Sequence, residues 1–138
     1  MIAPLLDTHI WIWYVADPSK LEGAEVDALD ALDSNNCPFI SDFSLWEVAT
    51  LAGLGRLDLG QTFGEWLLLA AKPGIVRILP FSVEIAVELS SLSDRLHRDP
   101  ADRAIVATAR THGLPVMTRD KRILSSGLVQ RWKPPPPS

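Results

Sequence analysis

The sequence predicts an α/β fold: a single domain with a mostly parallel central sheet of four to five strands and helices on both faces. Three observations predict it. Short apolar runs of strand length alternate with segments whose apolar residues recur at helical spacing. The links between them are short, as in strand–helix–strand units, whose crossovers make the strands parallel. Finally, 138 residues that are 47% hydrophobic and 22% charged have the balance of one soluble folded domain. Such a chain buries roughly two thirds of its unfolded surface and needs no covalent staples.

The elements follow in order. Ile2 to Leu6 is an apolar run that ends at Asp7, the first strand. Thr8 to Val15 is too apolar all round to face water. Asp17-Pro18 has the pattern of a helix cap with proline at the first helical position, and Leu21, Ala24, Ala28, Ala31 and Leu32 form the stripe of that helix. Pro38 to Ile40 is a second strand. Ser41, Asp42 or Ser44 can cap the next helix, whose apolar face is Leu45, Val48, Ala49 and Ala52 and whose stop is Gly53 and Gly55. Residues 62–71, with Trp66, are amphipathic. Ile75 to Leu79 is a third strand, and Ser82 caps a helix from Val83 to about Leu92. Asp99-Pro100 opens a helix that closes near Gly113. Leu114 to Thr118 is a fourth strand, and Val129 to Trp132 is a fifth at an edge. The domain is expected over residues 1–132. Residues 133–138, with four consecutive prolines, read as a flexible, extended tail.

Several function classes fall away. Cys37 is the single cysteine, so no intrachain disulfide and no cysteine-based zinc site can form. The apolar start carries Asp7 and no Lys or Arg before Lys20, unlike a signal peptide, and the apolar run Trp66 to Ala71 is too short to cross a bilayer. The expected compartment is therefore the cytoplasm, with no membrane partner. The net charge of −4 argues at first against nucleic acid. Yet residues 1–94 hold 14 acids against four bases, whereas residues 95–138 hold three against nine. That split fits a polar partner surface, with solvated acidic helices as the plainer alternative.

The acids stand where an open α/β sheet binds its ligands, beyond the carboxyl ends of its strands. Asp7 follows the first strand, Asp120 follows the fourth, Glu47 lies early in the helix after the second, and Asp99 and Asp102 begin the helix before the fourth. Gathered carboxylates repel one another, and a hard divalent cation relieves that repulsion; Mg²⁺ or Mn²⁺ suits carboxylates completed by water. Each residue has a plainer role as well. Asp99 and Asp102 fit a helix cap and its third helical position, Asp120 fits a turn, and Glu47 fits a helix surface. Asp7 is harder to explain away, because an unpartnered carboxylate at the end of a buried strand is costly. The three histidines, His9, His97 and His112, show no metal-ligand spacing. His9 is expected to be packed or partly exposed, and the other two to lie at the surface.

The segments LLDTHIWIW at 5–13, SLWEVA at 44–49, RDPADRAIVATAR at 98–110 and LPVMTRD at 114–120 resemble the four acidic motifs of PIN domains, above all those of VapC-type toxin ribonucleases. The resemblance runs from about residue 2 to 132. It implies an Mg²⁺- or Mn²⁺-dependent endoribonuclease, the toxin of a type II toxin–antitoxin pair. Asp7, Glu47, Asp102 and Asp120 match its four acids. Asp7 and Asp102 would be direct metal ligands, and Glu47, Asp120 and Asp99 would act directly or through water. Thr8 would be a hydroxyl that orients Asp7, or a residue that caps the first helix. RNA would be held by Arg98, Arg103 and Arg119, within a wider basic set that includes Arg95, Arg110, Lys121 and Arg122. The resemblance also implies a small VapB-like antitoxin over the site, and a homodimer or a toxin–antitoxin hetero-oligomer. Ile10 to Val15, with Trp46 and Leu51, would suit the antitoxin groove; a plain buried helix is the competing reading.

Other classes fit less well. A haloacid-dehalogenase phosphatase needs a second aspartate where His9 stands, a response-regulator receiver wants paired acids and a late lysine, and a dinucleotide-binding domain wants GxGxxG after the first strand. The remaining alternative is a catalytically silent PIN-like module that binds RNA or protein.

Overall fold

The computed structural model describes residues 2–92 and 96–136. Four strands, β1 (Leu5–Leu6), β2 (Phe39–Ser41), β3 (Arg77–Leu79) and β4 (Val116–Met117), form one all-parallel sheet in the order β3-β2-β1-β4. The register pairs Leu5 with both Phe39 and Val116, and Leu6 with Met117. The strands alternate faces. Leu6 packs with Ile40 and Met117 beneath Ile10, Trp11 and Trp66, while Leu5 packs with Val116 against Ile105 and Ala109. Burial on both faces is what the continuous apolar runs require.

Around the sheet lie α1 (Thr8–Ala16), α2 (Gly23–Asp30), α3 (Asp42–Gly53), α4 (Phe63–Ala70), α5 (Val83–Ser90), α6 (Pro100–His112) and α7 (Lys121–Ser125). Their ends obey local chemistry. Ser41 caps α3, Ser82 caps α5, and Asp99 caps α6 through its bond from the Asp102 amide. Gly113 ends α6 with φ 65°, a left-handed conformation that glycine adopts without a Cβ penalty.

Two expectations are corrected. Asp17-Pro18 opens only a 3₁₀ turn, Pro18–Lys20, and α2 begins later, where the Glu25 carboxylate accepts from the Glu22 amide at 2.8 Å. Its register is thus set by Glu25 and not by the proline. The fifth strand reduces to a single parallel bridge between Val116 and Arg131. The prolines from 134 onward carry no amide to continue a ladder. Asp120 caps a short helix, α7, its carboxylate accepting from the Arg122 amide. Among the described residues no helix is long and apolar enough to cross a membrane.

The order β3-β2-β1-β4 decides where a site can form. The chain leaves β1 to build β2 and β3 on one side, then returns to place β4 on the other. The crevice beyond the carboxyl ends of β1 and β4, where the direction of winding reverses, is where such sheets bind ligands.

Candidate functional site

Asp7 is the first residue after β1, and its backbone amide still bonds to Met117 O at 2.9 Å. It caps α1: Oδ1 accepts from the Thr8 amide at 2.7 Å, and Oδ2 accepts from Thr118 Oγ1 at 2.6 Å. Only 6% exposed, it is pushed above the usual carboxylate range by burial, which outweighs these two bonds. The hydroxyl that orients Asp7 is therefore Thr118's and not, as expected, Thr8's. Thr8 Oγ1 faces away, 2.8 Å from Ser44 Oγ, and lies close enough to the Glu47 carboxyl to lower its pKa. The physical reason is the cap itself: Thr8 meets Asp7 through its amide, which turns its side chain toward α3.

Glu47 lies on α3, with Oε1 buried and without a hydrogen-bond partner. Burial raises its pKa, and the nearby charges of Asp7 and Asp99 add to the rise. Asp102 lies in the first turn of α6, its side chain 12% exposed. Burial first, then Asp7, Asp99 and Asp120, push it up to about 6. Asp120 follows β4. Burial would raise its pKa, but bonds from the Arg122 side chain and amide hold it below the ordinary value. These four acids, with Asp99, line one cavity of about 390 Å³, together with His9, Trp13, Arg119 and Arg122.

His97 was missed. It is not a free surface residue: its side chain is 16% exposed, and Nε2 lies 2.5 Å from Asp102 Oδ2. One ring nitrogen of His97 and one oxygen each of Asp102 and Asp120 lie within 4.8 Å of one another. His9 and His112 are exposed.

The basic residues divide. Arg98 is exposed. Arg103 turns inward and donates to the carbonyls of Leu92, Leu96 and His97 at 3.4, 3.2 and 3.5 Å. Arg119 pairs through both terminal nitrogens with Glu25, which is 6% exposed and held below its ordinary pKa by that bond. Arg122 reaches over the acids, 3.3 Å from Asp120 Oδ2 and 3.9 Å from Asp102 Oδ2. Arg110 pairs with Glu88. Arg95 lies outside the described residues.

The apolar segment after Asp7 splits by helical periodicity. Ile10, Trp11 and Ile12 are core, and Trp11 Nε1 donates to Ala70 O at 3.0 Å. Trp13 and Leu51 instead line a groove of about 600 Å³ that shares His9 and Trp13 with the acidic cavity. Trp46, 60% exposed, lies apart in a hollow with Phe43 and Phe81.

Chemically, the cavity offers oxygen donors from four elements, three of them with raised pKa and one with a buried, unpartnered oxygen. That donor set fits a hard divalent cation.

The model of the family described as PIN domain matches residues 5–126. Ribonuclease VapC22 of Mycobacterium tuberculosis (strain ATCC 25618 / H37Rv) is 34% identical over 125 residues, which cover 91% of this chain and 92% of that protein. The crystal structure of FitAcB from Neisseria gonorrhoeae aligns with a TM-score of 0.66 at 24% identity, covering 94% of this chain and 96% of that one. At that identity the likeness concerns the fold.

Proposed function

The chain belongs to the PIN domain family, and we propose that it is an Mg²⁺- or Mn²⁺-dependent endoribonuclease, the toxin of a type II toxin–antitoxin pair. The observation that carries the proposal is the cavity at the β1/β4 crevice. Four carboxylates from four elements line it, and Glu47 Oε1 is buried there with nothing to bond. Leaving a buried acceptor unpaired costs about 1–3 kcal/mol, a cost that a ligand relieves. The 34% identity to a protein named a ribonuclease supports the same chemistry.

Asp7 and Asp102 would hold the cation directly, and Glu47, Asp120 and Asp99 would complete the set directly or through water. When bound, such a cation supplies Lewis acidity, which offsets charge on the phosphate and acidifies a water. The remaining work belongs to the protein. Thr118 holds the Asp7 carboxylate in one orientation, and the Thr8 hydroxyl, bonded to Ser44, faces the Glu47 carboxylate. Asp99, as the helix cap, sets the first turn that carries Asp102. Arg98 is exposed and would meet RNA phosphates. Arg119, braced by Glu25, adds positive charge at the cavity wall, and Arg103 serves RNA indirectly by shaping the loop before α6.

A partner that lies in the Ile12–Trp13–Leu51 groove would also cover the acidic cavity, since His9 and Trp13 border both. That continuity supports a small antitoxin there. The separate Trp46–Phe43–Phe81 hollow leaves a second surface for a homodimer or a hetero-oligomer.

The test is cleavage of structured RNA with Mn²⁺ by the wild type, Asp7→Ala and Asp102→Ala. Cleavage by the wild type, with loss of at least about a hundredfold in each variant, is expected. Equal cleavage by all three would overturn the site, and metal-free RNA binding without cleavage would identify a silent binding module instead.

A further inference from the structure

Resting on the metal-dependent reading above, we infer that His97 is a nitrogen ligand of the same cation, and that it tilts the site toward Mn²⁺ and similar transition-metal ions over Mg²⁺.

Two observations carry this. A ring nitrogen of His97 joins oxygens of Asp102 and Asp120 in a triangle with no side above 4.8 Å. Ligands about 2.1 Å from one ion lie about 3–4 Å apart, so small side-chain shifts bring all three donors to a common centre. Furthermore, among the described residues the ring's one hydrogen bond is between Nε2 and Asp102 Oδ2, and Nδ1 is buried without a partner. A histidine kept for packing normally satisfies both nitrogens.

His97 is also held in place. The Arg103 guanidinium, from the second turn of α6, donates to the carbonyls of Leu92, Leu96 and His97 and so fixes the backbone from which the ring projects toward Asp102. A donor braced by the same helix that carries the first-turn carboxylate is preorganised for a shared ligand. Its chemistry sets the preference. A site of carboxylates and water suits Mg²⁺, whereas an imidazole favours ions later in the Irving–Williams order and leaves Mg²⁺ little affected.

The experiment is calorimetric titration of the full chain with Mn²⁺ and with Mg²⁺, wild type against His97→Gln, which keeps a hydrogen-bonding group beside Asp102 without the imidazole. Mn²⁺ affinity should fall at least about tenfold while Mg²⁺ affinity changes less than about twofold. Equal weakening of both ions, or of neither, would overturn the inference, because it would reduce His97 to a brace for Asp102 or to a bystander. A second measurement needs no change at His97. His9→Gln/His112→Gln removes two exposed residues and leaves His97 the only histidine in the chain. Its Mn²⁺ complex should show the hyperfine coupling of a directly bound imidazole nitrogen in pulsed electron paramagnetic resonance. Binding of Mn²⁺ without that coupling overturns the role of His97 alone; a wild type that binds neither ion overturns the metal-dependent reading together with it.

Discussion

Thr118 Oγ1 donates a 2.6 Å hydrogen bond to Asp7 Oδ2 across 111 positions of sequence. The same hydroxyl oxygen accepts from the Asp120 amide at 2.9 Å. One side chain at the end of β4 therefore orients the acid after β1 and sets the turn that carries the acid after β4. The two strands that flank the crevice are coupled through it.

Thr118→Val should thus do two things at once. It strips a buried carboxylate of a donor and a backbone amide of its acceptor, which costs about 1–3 kcal/mol in denaturant unfolding. RNA cleavage should fall by about 10- to 100-fold, the usual penalty for losing an orienting partner of a ligand. Thr118→Ser, which keeps the hydroxyl, should recover most of both losses.

Asp102 makes stability depend on pH in an unusual direction. Its folded pKa of about 6 lies above the unfolded value of about 3.9. The folded state therefore binds the extra proton, and the unfolding free energy falls as pH rises from about 4 to about 6. Asp7 and Glu47 are shifted the same way. Glu25 and Asp120 are shifted downward, so their contribution is full above about 4 and is lost on further acidification. Metal-free protein should therefore melt higher at pH 5 than at pH 7. Asp102→Asn should flatten that slope and raise the Tm at pH 7 by a few degrees, or ~1 kcal/mol. Divalent-ion affinity should run the other way and strengthen from pH 5 to pH 7, because ion and proton compete for the same carboxylates. Thermal scans and titrations across this range check both trends.

Arg119 and Arg98 separate stability from RNA affinity. Arg119→Ala leaves the buried Glu25 carboxylate without its counter-ion and with only the Glu22 amide bond, so it should destabilise the fold by about 1–3 kcal/mol. Arg98 is exposed, so Arg98→Ala should leave the Tm within about one degree. It should weaken RNA binding and reduce the salt dependence by about one unit of slope, as read in binding isotherms at several salt concentrations.

Trp66 anchors the core on the α1 face of the sheet. It is 1% exposed, and its ring centroid lies 5.3 Å from that of Trp11. Trp66→Ala should cost about 3–5 kcal/mol. Trp66 does not line the acidic cavity, so cleavage per folded molecule should stay near that of the wild type, provided the assay temperature lies below the lowered Tm.

Much of the site could be read from local patterns. Asp7 stands out because an acid ends an apolar strand, and Asp99 and Asp102 because a DP cap fixes the first turn of a helix. His97 could not be read in this way. Its neighbour Asp102 is five residues away, across a helix boundary where the chain changes direction, and no periodic pattern spans such a corner. The Asp17-Pro18 pair misled for the related reason that a proline sets its own φ but not how far a helix continues beyond it.

By itself, then, the sequence determined the parallel α/β plan and the placement of acids at strand ends and helix starts. These follow from alternation, capping and backbone chemistry, which act over a few residues. Only the tertiary structure decided which partners hold those acids. Thr118 on Asp7 and Arg119 on Glu25 depend on the strand order β3-β2-β1-β4, which brings β4 beside β1, and His97 on Asp102 depends on how the chain turns as it enters α6. Side-chain bonds reach about 3 Å, and no local rule on sequence spacing says which distant residues will come that close.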